Sequence, residues 1–219
     1  NILVIPVAAM IVMVPLLVAG VPLSVAALVP VPLMALFFGW LPHNDLAYDS
    51  TAIWMHITSG TSGIADRVGR LVPVTLIAVP VLAITAPIAI AVYDRWALLP
   101  AMYGVIGCLF RAGLGRSGRL SALAPSPAAR PGDGPFQQPQ STVTRGVLVQ
   151  GGVLLGALVL SAPALWWAWL AIEQNIAFAQ TALWGGLGIG VVVLVLGVIG
   201  GGIAFRRRSF AIMEFAESM

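Results

Sequence analysis

His43-Asn44-Asp45-Leu46-Ala47-Tyr48-Asp49-Ser50-Thr51-Ala52-Ile53-Trp54-Met55-His56, running on to Asp66-Arg67-Val68-Gly69-Arg70, is a long polar interruption in a chain that on either side is close to hydrocarbon. It carries three of the eight carboxylates and both histidines. The chain has 219 residues, 59% of them hydrophobic and only 9% charged. A soluble domain carries roughly 25% charged residues. Polar groups gathered in one place in so apolar a chain are expected to face water, where another protein can reach them. The stretch therefore reads as an elbow, 42–70, between membrane spans.

Working outward, residues 1–41 form one apolar run. As a single helix it would measure roughly 60 Å, twice the roughly 30 Å of a bilayer's hydrocarbon core. Two spans, 2–19 and 23–41, with a turn at Gly20-Val21-Pro22, fit better. Pro6, Pro15, Pro30 and Pro32 are expected to kink them. A third span covers 71–93. Its Pro73, Pro80 and Pro87 recur on one face, read as the mark of a kinked packing helix in preference to a face lining a substrate path. A fourth, short span covers 96–111 and recruits Arg111 by snorkelling. Residues 113–145, rich in Pro, Gly, Ser and Arg, read as an extended loop without a core. The fifth and sixth spans cover 146–170 and 177–205. Trp166, Trp167 and Trp169 suit a membrane–water interface. Gly152-x-x-x-Gly156, Gly186-x-x-x-Gly190 and Gly197-x-x-x-Gly201 allow close helix approach. The predicted fold is all-α, a polytopic transmembrane helical bundle of about six spans in a single domain, 1–219. A β-barrel would show short alternating segments instead.

All eleven basic residues are Arg, and all but Arg95 fall on one side of this topology. Arg67 and Arg70 lie in the elbow. Arg111, Arg116, Arg119, Arg130 and Arg145 lie in or beside the loop, and Arg206, Arg207 and Arg208 lie in the tail. The positive-inside rule makes that side cytoplasmic, with both termini inside the cell membrane. No basic region precedes the first apolar run, so a cleaved signal peptide is not expected, and a start at Asn1 is compatible with a place inside a longer protein.

Much chemistry is missing. The predicted spans hold no ionisable group away from their ends, which argues against a proton-coupled carrier. A chain without Lys cannot form a Walker A loop, and no T-V-G-Y-G filter is present. The net charge of +3 is too small and scattered for nucleic acid. Cys108 stands alone, so no internal disulfide can form. His43, Asp45, Asp49 and His56 match no strong metal-ligand motif, and no metal, cofactor or catalytic residue is expected. A triad of Ser50, His56 and Asp49 is set aside, because triads are defined by geometry and not by nearness along the chain. Ser59-Gly60-Thr61-Ser62-Gly63 reads as a flexible connector.

The elbow has a clearer physical reading. Asp49, Ser50 or Thr51 can cap a helix. Ile53, Trp54 and Ile57 then share one side, with His56 and Ser59 turned elsewhere, as in a short amphipathic helix at a membrane surface. Asp66 and Arg70, four apart, are placed to pair. Asn44, Asp45, Asp49, Asp66, Arg67 and Arg70 are expected to offer free polar groups. The helix is equally an interfacial anchor or a coupling helix that meets a partner.

Asn44-Asp45-x-Ala47-Tyr48-Asp49-x-Thr51-Ala52, then Gly60 and Asp66-Arg67-x-Gly69-Arg70, resembles a segment of the membrane subunits of actinobacterial ABC-2-type exporters. Ser121-x-Leu123-Ala124-Pro125-x-Pro127 followed by Arg130-Pro131-Gly132-Asp133-x-Pro135-Phe136 is similar to a second segment of those proteins. Gly201-Gly202 with Arg206-Arg207-Arg208 resembles their C-terminus. Ser50 and Ser126 depart from the pattern, standing where the family often has Gly and Tyr. Members are commonly longer, with two such halves, and this chain resembles the C-terminal one. The resemblance implies a permease subunit without enzymatic activity of its own, working in the lipid bilayer with an ABC ATPase subunit and a second permease half or homodimer partner. It adds Tyr48 to the residues that would couple to the ATPase. The alternative is a non-transporting membrane scaffold or assembly factor.

Overall fold

The computed structural model describes residues 4–49, 52–124 and 143–218, with the backbone alone at Tyr48, 143–147 and 215–218. Among the described residues every regular element is helical. The first apolar run breaks into α1 (Val4–Ile11) and α2 (Met13–Val18), then α3 (Leu23–Ala26) and α4 (Pro30–Trp40). The turn between α2 and α3 falls where it was predicted. Gly20 takes φ +83°, a left-handed conformation that glycine adopts without a Cβ clash. Pro30 sits in the first turn of α4, where its missing N–H would lack a partner anyway. Val4–Val18 is about 22 Å long, too short for a straight crossing of a core about 30 Å thick.

A 3-10 turn (Leu41–Asn44), α5 (Asp45–Tyr48) and α6 (Ile53–Thr58) make the elbow. The long helices α7 (Gly63–Tyr93), α8 (Leu99–Leu123), α9 (Val143–Glu173) and α10 (Phe178–Arg207) follow, then α11 (Ser209–Ser218). Five segments are long and apolar enough to cross a membrane: Leu23–Ala47, Gly63–Tyr93, Trp96–Leu123, Leu148–Glu173 and Phe178–Arg207. The described residues form a membrane-embedded helical bundle of five long apolar segments and one shorter one.

Three boundaries differ from expectation. The end of the elbow is already helix: α7 starts at Gly63, capped by Ser62, whose Oγ accepts the Ala65 N–H at 3.1 Å. The fourth segment does not stop at 111. Residues 113–123, expected as the start of an extended loop, continue α8. Gly113, Ser117 and Ser121 recur every four residues and are buried with Gly118 and Ala122, so small side chains here mark a packed face and not disorder. Of the rest of that predicted loop, 125–142 lies outside the described residues, and 143–145 already belong to α9, which starts at Val143 and not at 146. Arg111 consequently sits inside α8 rather than at its end, half-buried, with Nη1 donating to Gly107 O at 3.3 Å.

Helix α8 packs against α4, α9 and α10. It runs parallel to α10 along a seam of glycines. A Cβ on Gly186 would strike Gly104 O, one on Gly197 would strike the Gly115 backbone, and one on Gly201 would strike Gly118 O. In lipid, helices associate through such close packing because no hydrophobic gain separates a helix face from an acyl chain. The spaced glycines of α10 therefore do what their spacing suggested. Gly152-x-x-x-Gly156 does not: Gly152 faces open space, and Gly156 makes room for the Arg116 guanidinium.

The inner face of α7 is Leu71, Val74, Ala78, Leu82 and Ala86, at helical spacing. The prolines lie off this face: Pro73 and Pro80 are exposed and Pro87 is half-buried. Pro87 cannot donate to Ala83 O, and the Tyr103 hydroxyl donates to that carbonyl at 3.0 Å. At this end of the bundle Arg95 Nη1 donates to Ile172 O at 3.0 Å, beside the exposed, tilted ring pair of Trp166 and Trp169.

Candidate functional site

The bundle's other end closes on a cluster of charges. Pro42 breaks helical geometry after α4 (φ −82°, ψ 18°), and the chain re-enters helix at Asp45 over the last turns of α8. Helix α7 brings Asp66, Arg67 and Arg70 in its first two turns. Asp66 is at the centre, its side chain fully enclosed. Its Oδ2 accepts Arg67 Nε at 2.9 Å and Arg70 Nε at 3.1 Å. Its Oδ1 accepts His56 Nδ1 at 2.9 Å.

Arg67 reaches furthest inward. It is 1% exposed, the largest fully buried side chain among the described residues. Nη1 donates to Asp45 Oδ1 at 3.4 Å and to Gly118 O of α8 at 3.3 Å. The guanidinium lies 5.5 Å from the Phe205 ring centroid on α10, within cation–π range. Arg70 closes the outer side: Nη2 pairs with Asp49, and Nη1 donates to Asp45 O at 3.3 Å. Ser121 Oγ donates to Asp45 Oδ1 and accepts the Leu46 N–H at 3.3 Å. Under the cluster lies a small apolar core of Leu46, Ile53, Ala122, Ala204, Phe205 and Ile212.

This corrects the expectation of free polar groups. Asp66, Arg67 and Asn44 are buried, and Asp45, Asp49 and Arg70 are half-buried. The reason is electrostatic. A charge removed from water is tolerated only when paired and hydrogen-bonded, and these carboxylates and guanidiniums lie close enough to pair with one another, although Asp45 Oδ2, 3.9 Å from Arg70 Nε, makes no hydrogen bond. The Asp66–Arg70 pair at i, i+4 forms as expected. Asn44 is also engaged. The side chain of Tyr48 and the whole of Ser50 and Thr51 lie outside the described residues.

The elbow helix differs too. Asp49 pairs with Arg70 instead of capping α6, whose N-cap is Ala52 with no side-chain bond. Ile53 is buried and Ile57 half-buried against the protein, while Trp54 points outward, so the three do not share one membrane-facing side. His56 joins the cluster through Asp66, away from the Asp49 of the discarded triad. His43 stacks on Trp40 at 4.1 Å and donates Nδ1–H to Trp40 O at 3.1 Å, so the two histidines serve separate tasks. Among the described residues no three His, Cys, Asp or Glu side chains are grouped as metal ligands.

Sequence reasoning missed four contributors: His56, Ser121, Gly118 and Phe205. Ser121 and Gly118 were out of reach once 113–145 was read as a loop, and Phe205 stood at the end of an apolar span with nothing to mark it as a partner of Arg67. The signal that could have found Ser121 is the four-residue recurrence from Gly113 through Ser117, whose Oγ donates to Gly39 O at 2.9 Å in the same groove between α4 and α8.

Chemically, the cluster is a clasp. It ties the elbow to α7, α8 and α10 at one point. No family model, curated protein or solved structure matches the chain.

Proposed function

We propose that this chain is a permease subunit of an ATP-driven exporter of the ABC-2 type. In this reading it sits in the plasma membrane with both termini in the cytoplasm, and it works with a separate ABC ATPase and a second permease half or second copy. The segments Asn44–Ala52, Asp66–Arg70 and Ser121–Pro127 support the reading by their resemblance to that family. The observation that carries it is the clasp. A push on the elbow from a partner cannot bend a loop there, because Arg67 and Arg70 bind α5 and α7 together and Arg67 and Ser121 bind both to α8. The displacement passes to α7 and α8 as a unit. Coupling needs that stiffness, since an element transmits force only if it moves as one body.

The charged residues therefore act in this proposal as the transmission. The surface that meets the ATPase is the outward side of α6 and its following turn, where Trp54, Met55 and Thr58 are exposed. The test is ATP hydrolysis by the chain reconstituted with the ABC ATPase that co-purifies with it from membranes. The double variant Asp49→Asn/Ser121→Ala, which loosens the clasp but leaves Arg67 and Asp66 in place, should keep the ATPase bound and lose most transport-stimulated hydrolysis. Unchanged stimulation with the ATPase bound returns α6 to an interfacial anchor. A purified chain with no ABC ATPase attached favours the scaffold reading.

A further inference from the structure

Arg116 and Arg119 stand three residues apart on α8, on one helical face, with their Cβ atoms about 5–6 Å apart. No carboxylate among the described residues pairs with either. Arg116 Nη2 donates to Gly152 O at 2.7 Å, but its Nε is buried with no partner. Arg119 lies along Gly200 of α10 and is exposed, with no hydrogen bond among the described residues. Both line a pocket of about 400 Å³ between α8, α9 and α10, whose other walls include Leu120, Leu160, Val193 and Leu196.

The height of this pocket in the membrane follows from helix rise. Trp96 opens the segment at the opposite interface, and Arg116 lies about 30 Å further along, Arg119 about 35 Å. That puts the guanidiniums at the inner edge of the hydrocarbon core, with the apolar walls inside it. The pocket's flank is lipid-facing: Leu155, Val159 and Leu196 are each more than 60% exposed. An uncompensated guanidinium pair at this depth attracts an anion, and a phosphate matches the planar fork of Arg. Apolar walls running inward from the charges match an acyl chain and not a free ion.

We propose that the pocket between α8, α9 and α10 binds an anionic phospholipid, its phosphate on Arg116 and Arg119 and an acyl chain along Leu160, Val193 and Leu196. The site is independent of the exporter reading, and it sits on the α8–α10 pair that also contacts the clasp. The lipid supplies the countercharge that Asp45, Asp49 and Asp66 supply to Arg67 and Arg70.

The test uses the full chain in nanodiscs of phosphatidylcholine alone or mixed with phosphatidylglycerol, read by thermal unfolding. Phosphatidylglycerol should raise the midpoint saturably, by about 3–6 °C at tenfold over its Kd. The double variant Arg116→Gln/Arg119→Gln should lose that increment, and Leu196→Trp, which fills the tail slot and leaves both charges, should lose it as well. Arg206→Gln/Arg207→Gln, in an exposed patch at the same end, should retain it. A midpoint indifferent to phosphatidylglycerol overturns the proposal, as does an increment that survives in the double variant. The same rise from inorganic phosphate in phosphatidylcholine discs would identify a free-anion site and overturn the lipid assignment. Should the double variant fail to fold, the increment in Leu196→Trp decides alone.

Discussion

Arg67 and Arg116 stand within a helical turn of the same height in the bundle, one on α7 and one on α8. They are kept there by different means. Arg67 is surrounded by Asp45 and Asp66, a backbone carbonyl and an aromatic ring, and water does not reach it. Arg116 has one carbonyl partner and an idle Nε. The first arrangement is satisfied within the chain except at Asp45 Oδ2, which has no hydrogen bond; the second, in our proposal, is completed by a lipid phosphate. An arginine count near a membrane surface therefore covers two kinds of residue, and the number of carboxylates within reach separates them. Buried ion pairs are a weak source of net stability but are costly to break on one side, so the paired group should be the sensitive one.

That contrast is broken most severely at Arg67. Arg67→Met leaves Asp66 and Asp45 inside without the buried guanidinium that bonds both carboxylates. It should cost about 3–5 kcal/mol in an unfolding titration in detergent. Adding Asp66→Asn should return a large part of the loss, because neighbours in one network are not additive. A cost near zero for Arg67→Met alone would mean that the clasp does not hold the elbow. Next comes the seam between α8 and α10, against which both arginine groups lie. Gly197→Val drives a side chain into the Gly115 backbone and should cost about 1–3 kcal/mol or more. Gly152→Val meets nothing within 4 Å and should be close to neutral in the same assay, although it sits in an equally good spacing motif.

The glycine pair marks how far the sequence could be read. Apolar runs gave the helical class and the long segments because hydropathy reports burial in lipid directly. Gly20 marked the first turn because a left-handed residue has few alternatives to glycine. Spacing alone did not distinguish Gly197 from Gly152, since both lie on α-helices and only the neighbour differs. Composition misled at 113–123, where the Gly and Ser residues that would be disordered in water line a helix crossing in a membrane. The charged residues of the elbow were identified as a group, but their exposure was misjudged. Polarity was taken to mean contact with water, while nearby charges of opposite sign made contact with one another.

The middle of the scale tests that last point. Ser121→Ala removes a donor from the half-buried Asp45 carboxylate and an acceptor from the buried Leu46 N–H. Leaving such groups unsatisfied costs about 1–3 kcal/mol. Unfolding that is unchanged in Ser121→Ala would place water where the serine now stands and make the α8 side of the clasp open.

His56 should matter least to stability, although it touches the most enclosed carboxylate. Its side chain is 46% exposed, whereas the Asp66 side chain is fully enclosed. Asp66 retains Arg67 and Arg70 whatever happens at position 56. An exposed partner at the mouth of a network is solvated before and after the bond forms, so such contacts contribute about 0–1 kcal/mol. His56→Gln keeps an N–H donor on a side chain able to reach Asp66 Oδ1 and removes the imidazole. It should lower stability by less than Ser121→Ala does, measured side by side in the same detergent. If His56→Gln costs as much as Arg67→Met, the mouth of the cluster is as dry as its centre. The division between a charge group closed on itself and one open to an outside anion would then have to be redrawn around His56.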